Sequence, residues 1–317
     1  MRLAAALDRQ TLARERYERI IVFDGVAPRP VVLARLQALG ASVVELEHRS
    51  GPGAARNAGA QRARGEYLVF SEDDVAPAPD WLERALARLD ADPLLDVLEG
   101  ETLKPGGRPV RTLAAEGASW IPTNLFVRRS LYQRVGGYRE DYFDARRGVY
   151  FREDSDLGFT LEAAGARIAR APEVVVTHPD EHPRFLDPLR WARRYEMDAL
   201  LAARHPERFR ERIEVHRLGP FTIRRPIVRA ASGCVLALAA ALAAWLLRSP
   251  SLVLPFLLLA MLAFLPIWAK WRFDPLRLPV ILLVPFALVV ALVRGRGRAR
   301  MAGRRPEVAP ASRSRNP

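Results

Sequence analysis

The sequence has very little cysteine and lysine, and these shortages narrow the classes of protein to consider. Cys234 is the only cysteine in 317 residues, which excludes a disulfide framework and a metal cluster built from several thiolates. Lysine stands only at positions 104 and 270, so arginine carries nearly all of the basic charge. We expect no secretory signal peptide, because residues 1–18 carry charge throughout. Half of the residues are apolar, enough to bury a substantial core.

The net charge of +13 is concentrated towards the C-terminus. Residues 226–317 contain 13 of the 49 basic residues and only two of the 36 acidic ones, so residues 1–225 are close to neutral. The C-terminal arginines flank apolar segments and lack the interleaved aromatic residues of a nucleic-acid-binding surface. We therefore expect membrane lipids, and no nucleic acid, among the partners.

Three long uncharged runs follow residue 229. They cover residues 230–247, 249–269 and 278–293, and a membrane-spanning helix needs about 20 apolar residues. The first two runs predict spans, and buried helices of a soluble protein are the alternative. The third run is short and holds two prolines, so a third span and a re-entrant or interfacial segment both stay open. Only a re-entrant or interfacial segment keeps the arginines after residue 293 on the same side of the membrane as the other basic clusters.

Strands and helices alternate at short spacing in the first 90 residues. Strands are predicted at 19–24, 41–46 and 66–70, and helices at 2–16, 31–39, 54–64 and 81–89. This alternation is typical of an α/β fold with a parallel sheet, in which ligands bind beyond the carboxyl ends of the strands. Two of these ends carry acids, namely Asp24 and the cluster Glu72-Asp73-Asp74.

The cluster at residues 72–74 follows a predicted buried strand. Three adjacent carboxylates repel one another unless a cation or solvent screens them. Hard oxygen ligands suit Mg²⁺ or Mn²⁺, and a solvated acidic loop is the alternative.

A second group of acids, Glu153, Asp154 and Asp156, opens a helix predicted at 157–164. These side chains either complement the positive end of the helix dipole or include a general base. His178 follows a strand-like run at 173–177, and this position favours a ligand role, although an isolated histidine is more often structural.

The glycine-rich segment 51–59 is a poor match to a dinucleotide-binding loop. Arg56 occupies the position where the third glycine of such a loop should stand. The segment therefore argues against a nicotinamide-dependent dehydrogenase.

Taken in order, the motifs resemble the family 2 glycosyltransferases of the GT-A fold, over residues 4–215. They are the strand ending at Asp24, Gly51-x-Gly-Ala-Ala-Arg-Asn-x-Gly59, the segment 63–82 with Glu72-Asp-Asp74, the segment 123–140 with Gly136-Gly-Tyr138, Glu153-Asp-x-Asp-Leu157, and the strand before His178. The resemblance implies a mostly parallel, Rossmann-like α/β sheet flanked by helices, here followed by transmembrane helices.

The resemblance also implies roles on the donor side. Asp24 would contact the nucleobase, and Arg56 and Asp73 would lie near the nucleotide sugar. Glu72 replaces the usual Asp, so a ribose contact and a metal contact both stay open for it. Asp74 and His178 would hold Mn²⁺ or Mg²⁺.

On the acceptor side, the resemblance implies that Asp154 is the general base of an inverting transfer and that Glu153 orients it or the acceptor. Further residues expected near the acceptor are Asn124, Gly136, Gly137, Asp156, Arg190 and Trp191.

The sequence departs from the family pattern at its start, because the family normally begins one strand earlier. We expect the DNA upstream of residue 1 to encode that strand in frame. The missing strand and Glu72 keep open a catalytically silent subunit that binds nucleotide sugar. Asp187-Pro-Leu-Arg190-Trp191 lies where processive polysaccharide synthases carry Gln-x-x-Arg-Trp, so processive synthesis is a further alternative.

We expect a catalytic domain at residues 1–215, a basic linker at 216–229, two or three membrane helices within 230–293, and a disordered basic tail at 294–317. The protein would be a multi-pass protein of a bacterial inner membrane, with its catalytic domain in the cytoplasm. A lipid-linked or cell-envelope glycan acceptor follows from the membrane anchor, whereas the sugar stays open.

Overall fold

The computed structural model describes residues 2–110, 122–180, 184–218 and 221–302. These residues form two compact units, one ending at residue 180 and the other beginning at residue 184. Residues 184–215, assigned above to the catalytic domain, therefore belong to the second unit.

The first unit alternates short helices and strands. Its helices are α1 (Arg2–Leu7), α2 (Pro30–Ala38), α3 (Pro52–Arg62), α4 (Trp81–Ala91), α5 (Arg129–Val135) and α6 (Glu153–Ala163). Its strands are β1 (Arg19–Asp24), β2 (Ala41–Leu46), β3 (Tyr67–Phe70), β4 (Ala76–Pro77), β5 (Val97–Lys104), β6 (Arg108–Pro109), β7 (Leu125–Arg128), β8 (Phe143–Asp144), β9 (Val149–Tyr150) and β10 (Ile168–Thr177).

The larger sheet has the strand order β3-β7-β5-β10-β4, with β6 paired to β5. The pair β5–β10 is parallel, while β7 runs antiparallel to both β3 and β5. The expected α/β fold class is confirmed, although this sheet mixes parallel and antiparallel pairs because β7 lies between β3 and β5.

The parallel pair β1–β2 forms a separate sheet within the described residues. Helix α3 covers both sheets, because Gly59 lies against Val22 of β1 while Ala60 packs with Leu68 and Phe70 of β3. The carboxylate of Glu18 accepts the backbone N–H groups of residues 64 and 65, at 2.6 and 3.0 Å. These two hydrogen bonds tie the residue before β1 to the segment just before β3.

Helix α1 is shorter than the predicted helix over 2–16. It ends at Leu7, whose carbonyl accepts hydrogen bonds from Tyr17 Oη and Arg19 Nη2. The Gln10 side chain donates to Ala78 O and accepts the backbone N–H of Leu82 near the start of α4. Bonds to distant parts of the chain therefore override the local helical pattern, and they satisfy a free N–H of α4.

The second unit contains most of the apolar sequence. Its elements are α7 (Asp187–Arg194), α8 (Asp198–Arg204), α9 (Pro206–Arg208), β11 (Val215–Leu218), β12 (Phe221–Arg224), α10 (Pro226–Leu246), α11 (Pro250–Lys270), α12 (Leu278–Ile281) and α13 (Val284–Ala302). By length and composition, three helical segments could cross a membrane: Pro226–Leu246, Pro250–Lys270 and Leu278–Met301.

Two segments of the second unit differ from expectation. The predicted linker at 216–229 contains most of the antiparallel hairpin β11–β12. The predicted tail is helical as far as Ala302, where Arg298 pairs with Glu196 at 3.3 Å, and residues 303–317 lie outside the described residues.

Asn124 is a structural residue of the larger sheet. Its Oδ1 accepts the indole N–H of Trp81 at 2.8 Å, and its Nδ2 donates to Glu101 O and Val174 O at 3.0 and 2.8 Å. The side chain is buried, and both donors of its amide and its oxygen are hydrogen-bonded, so Asn124 stabilises the sheet. Its expected place near the acceptor stays a prediction.

We predict that Asn124→Ala lowers the free energy of unfolding by about 2–3 kcal/mol, because it leaves buried polar groups unpaired. Denaturant titration of the detergent-solubilised protein, followed by tryptophan fluorescence, measures the change. Gln133→Ala at an exposed site on α5 is the control. A loss below about 0.5 kcal/mol, typical of surface substitutions, would contradict the structural role of Asn124.

Candidate active site

Asp24, at the carboxyl end of β1, braces the loop that enters α3. Its Oδ1 and Oδ2 accept the backbone N–H groups of Ser50 and Gly51, at 2.6 and 2.9 Å. Gly51 has a φ of +92°, and a Cβ there would lie 2.5 Å from the Phe143 ring, so only glycine fits. An ionised carboxylate offers about four lone pairs, so Asp24 can still accept a hydrogen bond from a ligand.

Glu72, Asp74 and His178 come together beyond the ends of β3 and β10. Each offers one ligand atom, and these atoms lie within 4.8 Å of one another. Glu72 is also held in place by Thr123, whose hydroxyl donates to Glu72 Oε2 at 3.1 Å. The predicted grouping of Asp74 with His178 is therefore seen, with Glu72 as a third member.

The hydrogen bonding of His178 favours a cation in this group. Its Nδ1 lies 2.8 Å from the carbonyl oxygen of Pro179, which can only accept, so Nδ1 carries a proton. In a neutral ring, Nε2 then presents a lone pair to Glu72 Oε2, 3.4 Å away. Two acceptors that face each other need a cation or a proton between them, and this donor set fits Mn²⁺ or Mg²⁺.

Glu153 starts α6 and is buried beside Arg56. Its Oε1 lies 3.6 Å from Arg56 Nη1, which is buried without a hydrogen-bond acceptor in the described part of the chain. Burial, reinforced by the charge of Asp154, raises the pKa of Glu153 to about 7, while Arg56 opposes the shift. Arg152, just before it, has a left-handed φ of +76°, which is unusual for a residue other than glycine.

Asp154, the predicted general base, is more exposed than Glu153. Its Oδ1 accepts the backbone N–H of Ser155 at 2.6 Å and lies 3.2 Å from the Ser155 hydroxyl. One carboxylate oxygen is therefore fixed at the helix start, and the described hydrogen bonds leave Oδ2 available to an incoming group.

Arg56 interacts electrostatically with both acidic groups. Burial opposes its charge, but Tyr138, Glu153, Glu72 and Asp154 together raise the pKa of Arg56 above its usual value. Its guanidinium lies over the Tyr138 ring, 5.1 Å from the centroid. The guanidinium therefore stays charged and links the two acidic groups electrostatically.

Three residues predicted near the acceptor make structural contacts. Asp156 is buried and accepts a hydrogen bond from the Tyr142 hydroxyl at 2.9 Å. Gly136 ends α5 with a left-handed φ of +84°, and a Cβ on Gly137 would lie 2.7 Å from Asn57 Oδ1. The expected places of Asp156, Gly136 and Gly137 near the acceptor stay predictions.

The remaining predicted residues lie apart from these contacts. Asp73 is exposed, and the group Glu72–Asp74–His178 does not include it. Arg190 and Trp191 belong to the second unit, where they contact Asp187 and Tyr195, respectively. Their proposed roles with donor and acceptor stay predictions.

Asn57 and Tyr138 are site residues whose importance the sequence did not reveal. Asn57 Oδ1 accepts the Tyr132 hydroxyl and the Tyr138 N–H, at 2.7 and 2.9 Å, and Nδ2 donates to Tyr138 O at 2.8 Å. These bonds hold Tyr138 under Arg56. Both residues lie inside the recognised motifs, but no local pattern indicates that the two motifs touch.

The sequence is similar to known glycosyltransferases. Residues 2–153 match the family model described as Glycosyl transferase family 2. The chain is 29% identical over 215 residues to a pre-mycofactocin glycosyltransferase of Mycobacterium tuberculosis, covering 60% of this chain and 43% of that protein. It is 36% identical over 89 residues to the N-acetylglucosaminyl-diphospho-decaprenol L-rhamnosyltransferase of the same species, covering 28% and 24%. The chain thus spans less than half the length of these relatives.

Two solved structures show the same fold. TarS 1–349 of S. aureus in complex with UDP matches 95% of this chain and 87% of its own, with a TM-score of 0.52 and 17% identity. The mannosyltransferase PcManGT of Pyrobaculum calidifontis, in complex with GDP-Man and Mn²⁺, matches 92% and 81%, with a TM-score of 0.52 and 21% identity. These likenesses confirm the expected fold.

We predict that Asp74→Asn and His178→Ala each weaken Mn²⁺ binding at least tenfold, because each removes one ligand atom. Isothermal titration of the purified protein with MnCl₂ measures the affinity. Asp73→Asn is the matched control, since it removes an adjacent charge outside the group of three. If all three variants bind Mn²⁺ as tightly as the unchanged protein does, Glu72, Asp74 and His178 do not hold the ion.

Proposed function

Residues 2–153 belong to glycosyl transferase family 2, and from this premise we propose that the chain transfers a sugar from a nucleotide-sugar donor to an acceptor at a membrane. The observation that carries the proposal is the buried charge of Arg56, which pairs with Glu153 at 3.6 Å and also interacts electrostatically with Glu72 and Asp154. A group that binds anions thus lies next to a candidate cation site and a candidate base, as transfer from a nucleoside diphosphate requires.

The donor would lie along the edge where β1 and β3 end. Asp24 would accept a hydrogen bond from the nucleobase, while Arg56 and Asp73 would face the diphosphate sugar. Glu72, Asp74 and His178 would hold Mn²⁺ or Mg²⁺. A bound divalent ion would neutralise negative charge that develops on the leaving nucleoside diphosphate.

The acceptor would be activated at the start of α6. We assign the general base to Asp154, whose Oδ2 can take the proton from an acceptor hydroxyl. The acceptor oxygen then forms a bond to the anomeric carbon as the bond to the diphosphate breaks, and attack from the opposite face inverts this carbon. Glu153, paired with Arg56, would position Asp154.

The acceptor class follows from the relatives and from the apolar helices. The rhamnosyltransferase named above acts on a decaprenol-linked sugar, as its name states, and this chain has three helices long enough to cross a membrane. We therefore propose a lipid-linked or cell-envelope glycan acceptor, with the first unit on the cytoplasmic side of a bacterial inner membrane.

The direct test is a donor screen on the full chain in nanodiscs with a polyprenyl-phosphate-linked sugar. UDP-, GDP- and dTDP-sugars are supplied with Mn²⁺, and released nucleoside diphosphate is measured with and without acceptor. We expect one donor to give acceptor-dependent release. Donor binding without release, across the donor and acceptor panels, would instead support the silent subunit.

We predict that Asp154→Asn lowers turnover at least about 10²-fold, the lower limit of general base catalysis, while donor affinity changes little. Initial rates and donor titrations measure the two quantities. Asp90→Asn, at an exposed position on α4, is the charge-matched control. Turnover within a few-fold of the unchanged protein would remove Asp154 from the role of base.

The pH profile tests the pair formed by Glu153 and Arg56. Because the pKa of Glu153 is about 7, we expect kcat/KM to rise as pH increases through 7 and Glu153 ionises. Arg56→Gln removes the positive charge that holds this pKa down, so the midpoint should move to higher pH.

Arg56→Lys keeps the positive charge and should leave the midpoint closer to its original value. The pH dependence of kcat/KM in the three proteins decides the point. An identical midpoint in the Gln variant would show that Arg56 does not control Glu153.

A further inference from the structure

Helix α13 packs against α7 and α8, two short helices of the second unit that carry many charged residues. One apolar cluster contains Ala192 of α7, Ala231 of α10, Ile267 of α11 and Leu288 of α13. Within the described residues, this cluster includes α10 only over 227–231 and α11 only over 264–268. These segments are the start of α10 and the last turns of α11, so the cluster lies at one end of the α10–α11 hairpin.

The polar contacts place the same helix ends beside α7 and α8. Arg225, just before α10, pairs with the buried Asp198 of α8 at 3.0 Å. Lys270, at the end of α11, lies over the Trp191 ring of α7, 4.4 Å from its centroid. Both ends of the hairpin therefore meet the layer formed by α7 and α8.

The far half of α13 reaches the same layer. Arg298 pairs with Glu196, between α7 and α8, at 3.3 Å. A Cβ on Gly295 would collide with the Glu196 carbonyl, so the two backbones are in close contact. Helix α13 therefore follows the α7–α8 layer from Leu288 to Arg298.

The α7–α8 layer carries too much charge to lie in hydrocarbon. The charged residues of this segment are Asp187, Arg190, Arg193, Arg194, Glu196, Asp198 and Arg204. Charged side chains inside a bilayer are costly, so this layer lies at the membrane surface where α10 enters. A helix packed along it stays at that surface.

We propose that α12 and α13 form an interfacial anchor that binds the lipid surface on the side of α7 and α8, and that only α10 and α11 span the membrane. This inference rests on the membrane attachment proposed above but not on the sugar-transfer activity.

The exposed residues of α13, and of the segment just before it, suit contact with a lipid surface. Leu282, Phe286, Val290 and Val293 are exposed at helical spacing and would enter the acyl boundary. Arg294, Arg296 and Arg300 are exposed beyond them and would meet anionic headgroups. Length does not decide between the two models, since a 24-residue helical segment of about 36 Å could also cross.

Cysteine labelling of the full chain in cells tests the arrangement. In a Cys234→Ala background, Ser251→Cys marks the far end of the hairpin, Glu207→Cys marks the second unit, and Arg300→Cys marks the end of α13. A membrane-impermeant maleimide should label position 251 in intact cells, and positions 207 and 300 only after permeabilisation. Labelling of position 300 together with 251, in intact cells, would establish a third span and overturn the proposal.

A depth measurement provides an independent check. An environment-sensitive dye at Phe286→Cys or at Val290→Cys should be quenched most by lipids with a shallow nitroxide. The same dye at Leu258→Cys in the middle of α11 should be quenched most by a deep nitroxide. Deepest quenching at positions 286 and 290 as well would refute an interfacial helix. Neither experiment uses turnover, so an inactive protein leaves both results interpretable.

Discussion

The candidate site depends on burying the positive charge of Arg56 among carboxylates. Glu153 is buried beside it, and Glu72 and Asp154 act on it electrostatically. Buried charges are costly unless they are paired, so the buried Glu153 and Arg56 require each other. Helix α3 holds the arginine in place, since Asp24 braces the loop before it and Asn57 fixes Tyr138 beneath it.

Helix α3 also explains how two separate sheets build one site. The pair β1–β2 shares no ladder with the larger sheet within the described residues. Gly59 and Ala60 instead let the helix approach β1 on one side and β3 on the other. The small residues of α3 therefore allow close packing against the strands. The larger polar residues one turn earlier, Arg56 and Asn57, face the site.

Elements with a strong local pattern were predictable from the sequence. The strands at 19–24 and 41–46 have their predicted bounds, and α4 buries Trp81, Leu82, Ala85 and Leu89 at helical spacing. Other features were not predictable, because hydrogen bonds between distant parts of the chain determine them. Helix α1 ends early because Tyr17 and Arg19 bind its last carbonyl, and Asn124 is structural because three distant groups use its amide. Local patterns do not encode such partners.

The family resemblance indicated most of the charged residues of the candidate site. Only the fold shows which group balances each of their negative charges. At residues 72–74, the His178 lone pair that faces Glu72 calls for a cation or a proton between them. At α6, burial brings the pKa of Glu153 to about 7, so a proton can neutralise it in part. Arg56 connects these two acidic groups, because neutralising a carboxylate in either group changes the electrostatic potential at its guanidinium. The proton on Glu153 and the acids at residues 72–74 therefore act on the same buried guanidinium, so neither acidic group is electrostatically independent of Arg56.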